Sequence, residues 1–250
     1  MASRRFGVAR VPGGDGWDDV AVEEPLEIRV NGAPAAVTMR TPGHDLDLAA
    51  GFLWTEGVID GADDLRALAV VAENVVDVVL AEGVPANRAR LADRAAFASS
   101  ACGICGVAGL ERLRRSAAPR RALVHDFDAV TALPARLRAA QAGFALTGGL
   151  HAAALVVGDE LCALREDVGR HNAVDKVLGA RLREDALPLD AVGLFVTSRA
   201  GYEIVAKALV AGVGWVAAIG APTSLAVQAA TAAGLPLWAW VRPDRATRYA

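Results

Sequence analysis

Cysteine is scarce in this chain: three in 250 residues, an odd number, with two of them close together. A secreted disulfide framework needs more, so a reducing, cytoplasmic setting is expected. Lysine is nearly absent, since 24 of the 26 basic residues are Arg. The net charge is nevertheless −3, which argues against a nucleic-acid surface. Apolar runs are broken by Gly, Pro and charges well short of the ~18 residues of a membrane span. The N-terminus, Met1-Ala-Ser-Arg-Arg-Phe-Gly, has charge without an apolar stretch, so no signal peptide is expected. No repeat of solenoid period is visible.

What is present reads as globular and mixed. Val20–Val30 alternates, meets Asn31-Gly32 and continues as Ala35–Arg40, the pattern of a tight hairpin. Leu46–Glu56 has helical spacing with Asp45 as cap and Gly57 as stop, and Leu65–Val71 and Val75–Ala81 read as strands. Asn87–Ala96 reads as a helix or connector and Val107–Arg115 as a helix. Another helix is expected over Thr131–Gln141, with Asp128 as cap and Pro134 in its first turn. A second hairpin follows (Ala152–Val157, Leu161–Leu164). Helices over Asn172–Arg183, Tyr202–Ala211 and Ser224–Ala233 then alternate with apolar strands over Ala191–Thr197, Trp215–Ile219 and Leu235–Val241. Strands apolar throughout are covered on both faces, which predicts a largely parallel α/β sheet. The expected division is a strand-rich unit over residues 1–95 and an α/β unit over 96–250.

Chemistry concentrates in Cys102-Gly103-Ile104-Cys105-Gly106. Placed just before a predicted helix, either thiol would be drawn toward the reactive thiolate by the helix dipole. Structural zinc is disfavoured, because Cys162 and the four His form no second closely spaced pair and Cys162 reads as core. Glu166-Asp167-Val168-Gly169-Arg170-His171-Asn172 packs charge into a strand-to-helix turn, the position of ligand crevices in α/β sheets. Arg170 and His171 suit an anion; the plain alternative is a capping cluster with Asn172 as N-cap. His151 ends a glycine turn and reads equally as a site or interior residue. Ser198 and Arg199 leave a buried strand where a phosphate cradle would form. Trp240 to Arg245 combine an aromatic with two Arg, which suits stacking on a purine and pairing with phosphate; the alternative is a solvated tail.

Taken in order, several blocks resemble the formate dehydrogenase accessory sulfurtransferases, the FdhD family. They are Ala50-Gly51-Phe52-Leu53, the Cys102–Gly106 loop, Leu146–Ala153, Glu166–Lys176, Ser198–Glu203 and Arg245-Ala246-Thr247. The resemblance implies a persulfide carrier that moves sulfur from a cysteine desulfurase to the molybdenum cofactor before the cofactor enters formate dehydrogenase. It implies that Cys102 bears the persulfide and that Cys105 is the second loop cysteine. It further implies that Trp240, Val241, Arg242, Pro243, Asp244 and Arg245 bind the guanine-dinucleotide tails of the bis-guanine-dinucleotide cofactor; Ser198, Arg199, His151, Arg170 and His171, read from the residues themselves, are further candidates for that site. Asp244 stands where a Gly can occur, an acid beside a phosphate site. The implied fold is a cytidine deaminase-like α/β/α larger domain beside a smaller strand-rich one, in a homodimer without a metal of its own. Zinc deamination is disfavoured: His151-Ala152-Ala153 lacks the proton-moving Glu, follows the CxxC, and Ala101 replaces the usual Pro. A cofactor-binding chaperone without sulfur chemistry is the alternative function.

Overall fold

The structure is a computed structural model that describes residues 2–9, 12–85 and 127–250. The cysteine loop and the two segments predicted over 87–96 and 107–115 lie outside the described residues. Three sheets are present among the described residues. The first is a hairpin of β1 (Ser3–Ala9) and β2 (Asp15–Ala21), which the sequence reading did not anticipate.

The second sheet runs β4-β3-β6-β5, built from β3 (Glu24–Val30), β4 (Ala33–Arg40), β5 (Leu65–Ala72) and β6 (Val75–Leu80). Asn31 and Gly32 both take positive φ, 51° and 75°, as expected for a two-residue hairpin turn whose twist matches the strands. Helix α1 (Asp45–Thr55) follows β4. Its N-cap is His44 rather than Asp45, whose carboxylate is held by Arg40 at 2.9 and 3.0 Å. Gly57, with φ 66°, stops the chain as expected.

The third sheet runs β12-β11-β10-β9-β7-β8. Its strands are β7 (His151–Val157), β8 (Glu160–Asp167), β9 (Gly193–Val196), β10 (Trp215–Ala218), β11 (Leu237–Arg242) and β12 (Arg245–Arg248). Only β9, β10 and β11 are mutually parallel; β7, β8 and β12 run antiparallel to their neighbours. The expected largely parallel sheet is therefore parallel at its centre, with a tight hairpin on each flank. On one face lie α4 (Arg170–Arg183), α5 (Tyr202–Val210) and α6 (Ser224–Ala232), joined to the sheet through Val174, Val177, Ile204, Ala208 and Ala229. On the other lies α2 (Phe127–Ala140), whose Val130, Leu133 and Leu137 form a helical stripe against Ala152, Ala154, Phe195 and Trp215. A short α3 (Ala142–Thr147) follows.

Two expectations are corrected by these packings. Helix α2 begins at Phe127, so Pro134 sits inside the helix and not in its first turn. Cys162 is exposed, because β8 is an edge strand, and its thiol lies 3.4 Å from the Leu155 carbonyl.

The same apolar core runs from the second sheet into the third. Leu26, Ile28, Val76 and Val78 pack into one cluster with Val177, Leu194 and Val216. Helices α1 and α4 meet at this junction with their backbones in contact. A Cβ added at Gly51 would fall 1.9 Å from the Asp175 carbonyl oxygen, and one at Gly179 would fall 1.9 Å from that of Asp47. Only glycine permits this approach.

Candidate functional site

The carboxyl edge of the six-stranded sheet gathers most of the residues singled out in the sequence. His151 opens β7 and lies opposite Asp167, the end of β8. Backbone hydrogen bonds then step along the edge. Thr197 N–H donates to the Ala152 carbonyl at 3.0 Å, Gly220 N–H to Ser198 at 3.0 Å, and Trp240 N–H to Gly220 at 3.2 Å. Thus His151, Arg170, Thr197, Arg199, Ile219 and Trp240 come from five separate strand ends to one rim, where ligands bind in α/β sheets.

The Glu166–Lys176 block divides into an inward and an outward part. Asp167 is fully buried and pairs with Lys176 at 2.7 Å. The Lys176 ammonium also donates to the Thr41 carbonyl at 2.8 Å, and Asp167 accepts from Thr41 N–H at 3.1 Å. Burial pushes the Lys176 ammonium below the ordinary lysine range, with the Asp167 charge pulling it back up. Asn172 is not the N-cap, a place taken by Gly169. Its amide instead donates to the Met39 carbonyl at 2.7 Å and to Asp167 at 3.2 Å. Glu166 accepts from the Gly143 and Phe144 N–H groups, both at 2.8 Å, and so starts α3. Most of this charged run therefore clamps β8 and α4 to the β4–α1 connection. Arg170 and His171 remain half-exposed at the start of α4, with His171 Nδ1 3.2 Å from Glu203.

The turn after β9 departs from expectation in one residue. Ser198 is buried and its hydroxyl donates to the Arg199 carbonyl at 3.0 Å, so it serves the turn instead of facing out as a phosphate contact. Arg199 is exposed. Thr223 caps α6, its hydroxyl accepting from Ala226 N–H.

Trp240 to Arg245 form neither a loose tail nor a uniform binding strip. Between Ala239 and Arg242 the β11–β12 pairing slips by one residue, a bulge in which Trp240 takes φ 54° and is 45% exposed. Such a bulge re-aims the side chain outward. Val241, by contrast, is fully buried in the core, so its side chain is withdrawn from any ligand. Arg242 donates to the Ile219 carbonyl at 2.7 Å and the Val241 carbonyl at 2.8 Å, tying the bulge to the end of β10. Pro243 and Asp244 make the tight turn into β12, where Arg245 is exposed.

Beside this rim is a cavity of about 520 Å³ lined by Pro134, Arg138, Gln141, Phe144, Gly148, Gly149, Leu150, His151, Thr197 and Ile219. Burial, reinforced by the nearby Arg170 charge, lowers the His151 imidazole below its ordinary value. The Thr197 hydroxyl lies 3.5 Å from His151 Nδ1. Sequence reasoning found His151 but missed Arg138, Gln141 and Phe144. Their only signal was proximity to the Gly148-Gly149 turn, since α3 itself was not recognised.

Residues 21–250 match the FdhD/NarQ family. The Sulfur carrier protein FdhD of Streptomyces avermitilis is 46% identical over 250 residues, covering 93% of this chain and 87% of the relative. Its namesakes from Mycobacterium tuberculosis and Nocardia farcinica are 45% and 42% identical, over 93% and 100% of this chain and 90% and 93% of their own. A solved structure from Desulfotalea psychrophila, described as a candidate formate dehydrogenase accessory protein, superposes with a TM-score of 0.78. It covers 99% of this chain and 96% of that one at 24% identity, a likeness of fold. The blocks noted in the sequence, the fold and the extent of these matches agree: the chain belongs to the FdhD/NarQ family.

Proposed function

We propose that this protein is a sulfur carrier and sulfurtransferase that passes persulfide sulfur from a cysteine desulfurase to the molybdenum cofactor, for use by formate dehydrogenase. The observation that carries this reading is a family match spanning the Cys102–Gly106 loop, with relatives named as sulfur carriers at 42–46% identity. In the first step the Cys102 thiolate attacks the terminal sulfur of the donor persulfide. The donor S–S bond breaks as the Cys102 S–S bond forms, and the donor cysteine leaves as thiolate. Cys105 is assigned to the same loop as a second sulfur-handling thiol.

The cofactor is the substrate of this chain. Its guanine-dinucleotide tails would lie along the carboxyl edge. There the exposed Trp240 offers a stacking face and Arg199 and Arg245 offer charge for phosphate. Arg170 and His171 supply further donors on the same rim. In this reading the larger domain follows the cytidine deaminase arrangement, and the protein works as a cytoplasmic homodimer without nucleic acid or a metal of its own. Among the described residues no helix is long and apolar enough to cross a membrane.

A cofactor-binding chaperone is the second reading, because the exposed Arg199, Trp240 and Arg245 suit ligand contact without requiring sulfur chemistry. Intact-mass measurement after incubation with a cysteine desulfurase and cysteine separates the two. The expected result is a gain of ~32 Da, one sulfur as a persulfide, lost in Cys102→Ala. A Cys102→Ala protein that keeps the gain, or still activates formate dehydrogenase, overturns the carrier reading.

A further inference from the structure

Helices α4 and α5 are bridged by two charge pairs, one turn apart. The outer pair, at the rim, places His171 Nδ1 3.2 Å from Glu203. The inner pair joins Asp175 to Lys207 at 2.9 Å. Each helix steps from one pair to the other by four residues, so the pairs stack along the helix axes. The inner pair is buried, and Lys207 also donates to the Thr55 hydroxyl at 2.9 Å. That pair ties the two helices together. A half-exposed pair adds little to such a tie, and a Lys or Arg would serve it at every pH. The rim position instead holds a histidine, the side chain whose charge changes near neutral pH.

Glu203 decides where the imidazole carries its protons. A carboxylate only accepts, so it keeps a proton on His171 Nδ1. The other nitrogen, Nε2, is then a bare acceptor in the neutral ring and a donor in the charged one. The charges around it favour an anion. Asp167 and Lys176 neutralise each other, as do Asp175 and Lys207, and Glu166 is engaged by the Gly143 and Phe144 N–H groups. His151, at the start of β7, is drawn toward its neutral form by burial. Arg170 beside His171 and Arg199 in the turn before α5 both reach solvent. Among the described residues, the surface between the two helix starts is therefore cationic apart from Glu203.

We propose that His171 is a proton-coupled oxyanion-binding residue and that Glu203 is its positioning residue: a phosphate oxygen bound at this rim is accompanied by uptake of one proton on His171 Nε2. An ionised phosphate oxygen accepts and does not donate, so the bare nitrogen of the neutral ring repels it. The proton comes from solvent, and no bond of the ligand breaks. The inference rests on the reading above, in which the phosphate-bearing tails of the cofactor lie along this edge. It adds the protonation state in which the rim holds them.

Calorimetric titration of the full chain with GDP, in buffers of low and of high ionisation enthalpy, counts the protons taken up per ligand. At about pH 8 an ordinary imidazole is neutral before binding. The unsubstituted protein is expected to take up a proton with GDP and none with guanosine, which lacks phosphate. His171→Ala is expected to lose the uptake and about tenfold in GDP affinity. Glu203→Leu is expected to bind GDP without uptake, because the released ring can place its single proton on Nε2 and donate while neutral. A merely structural pair would leave the proton count unchanged. Circular dichroism checks the fold of each variant. No uptake in the unsubstituted protein, equal uptake with guanosine, or unchanged uptake in His171→Ala or Glu203→Leu overturns the proposal. A protein that gains persulfide sulfur without His171-dependent uptake sinks this assignment alone. One that takes up the proton but gains no sulfur sinks the carrier reading alone.

Discussion

Asp167 and Lys176 sit in the most charged stretch of the chain, yet neither reaches solvent. Their 2.7 Å contact, with the Thr41 backbone on both sides, makes them a clamp between two halves of the core. A buried pair loses most when one partner is removed, because the other charge is left in an apolar interior. Asp167→Asn and Lys176→Met are each expected to cost about 3–5 kcal/mol in denaturant unfolding. The double variant should cost less than the sum of the two, by at least ~1 kcal/mol. Additive losses would show that the pair is not coupled. His151 offers a second test. Its basicity is lowered by burial, so below about pH 6.5 the unfolded chain binds more protons at this position than the folded one. Its contribution to stability is complete above that pH and declines as the pH falls through the window between the ordinary and the lowered value. Imidazole resonances of the full chain followed by NMR should titrate below about 6.5; a midpoint at or above it contradicts the burial argument.

Helices α1 and α4 show how much of an element's identity is local and how much is not. The turn at Asn31-Gly32 and the stop at Gly57 were legible because each depends on neighbours in sequence. The caps of α1 and α4 were not, because Asp45 and Asn172 are drawn away by Arg40 and Met39 in β4. Strand β12 was not anticipated, since four residues with three charges or hydroxyls carry little strand signal until β11 supplies a partner. At the α1–α4 contact, Gly51→Ala and Gly179→Ala each place a methyl group 1.9 Å from a carbonyl oxygen. Despite alanine's better helix propensity of about 1 kcal/mol, each is expected to destabilise by more than ~2 kcal/mol, because two backbones must move apart. A raised melting temperature for either would refute the close approach.

Over the whole chain, the apolar cluster that joins the four-stranded sheet to the six-stranded one has a direct consequence. With Ile28 and Val78 sharing a core with Val177 and Leu194, neither side can lose its packing alone. Thermal unfolding is therefore expected as one transition whose calorimetric and van't Hoff enthalpies agree; two resolved transitions would contradict it. Most of the secondary structure, the α/β class and the strand ends of the rim were readable from the chain, because period, turn chemistry and strand-end position are short-range properties; β1, β2, α3 and β12 were not. Side-chain direction was not. Asp167, Asn172, Ser198 and Val241 turn inward while Arg170, Arg199 and Trp240 turn outward from the same runs of sequence. That division follows from which partner lies across the fold, and so does the cavity. Arg138, Phe144 and His151 come together there only because α2 and α3 pack against the start of β7.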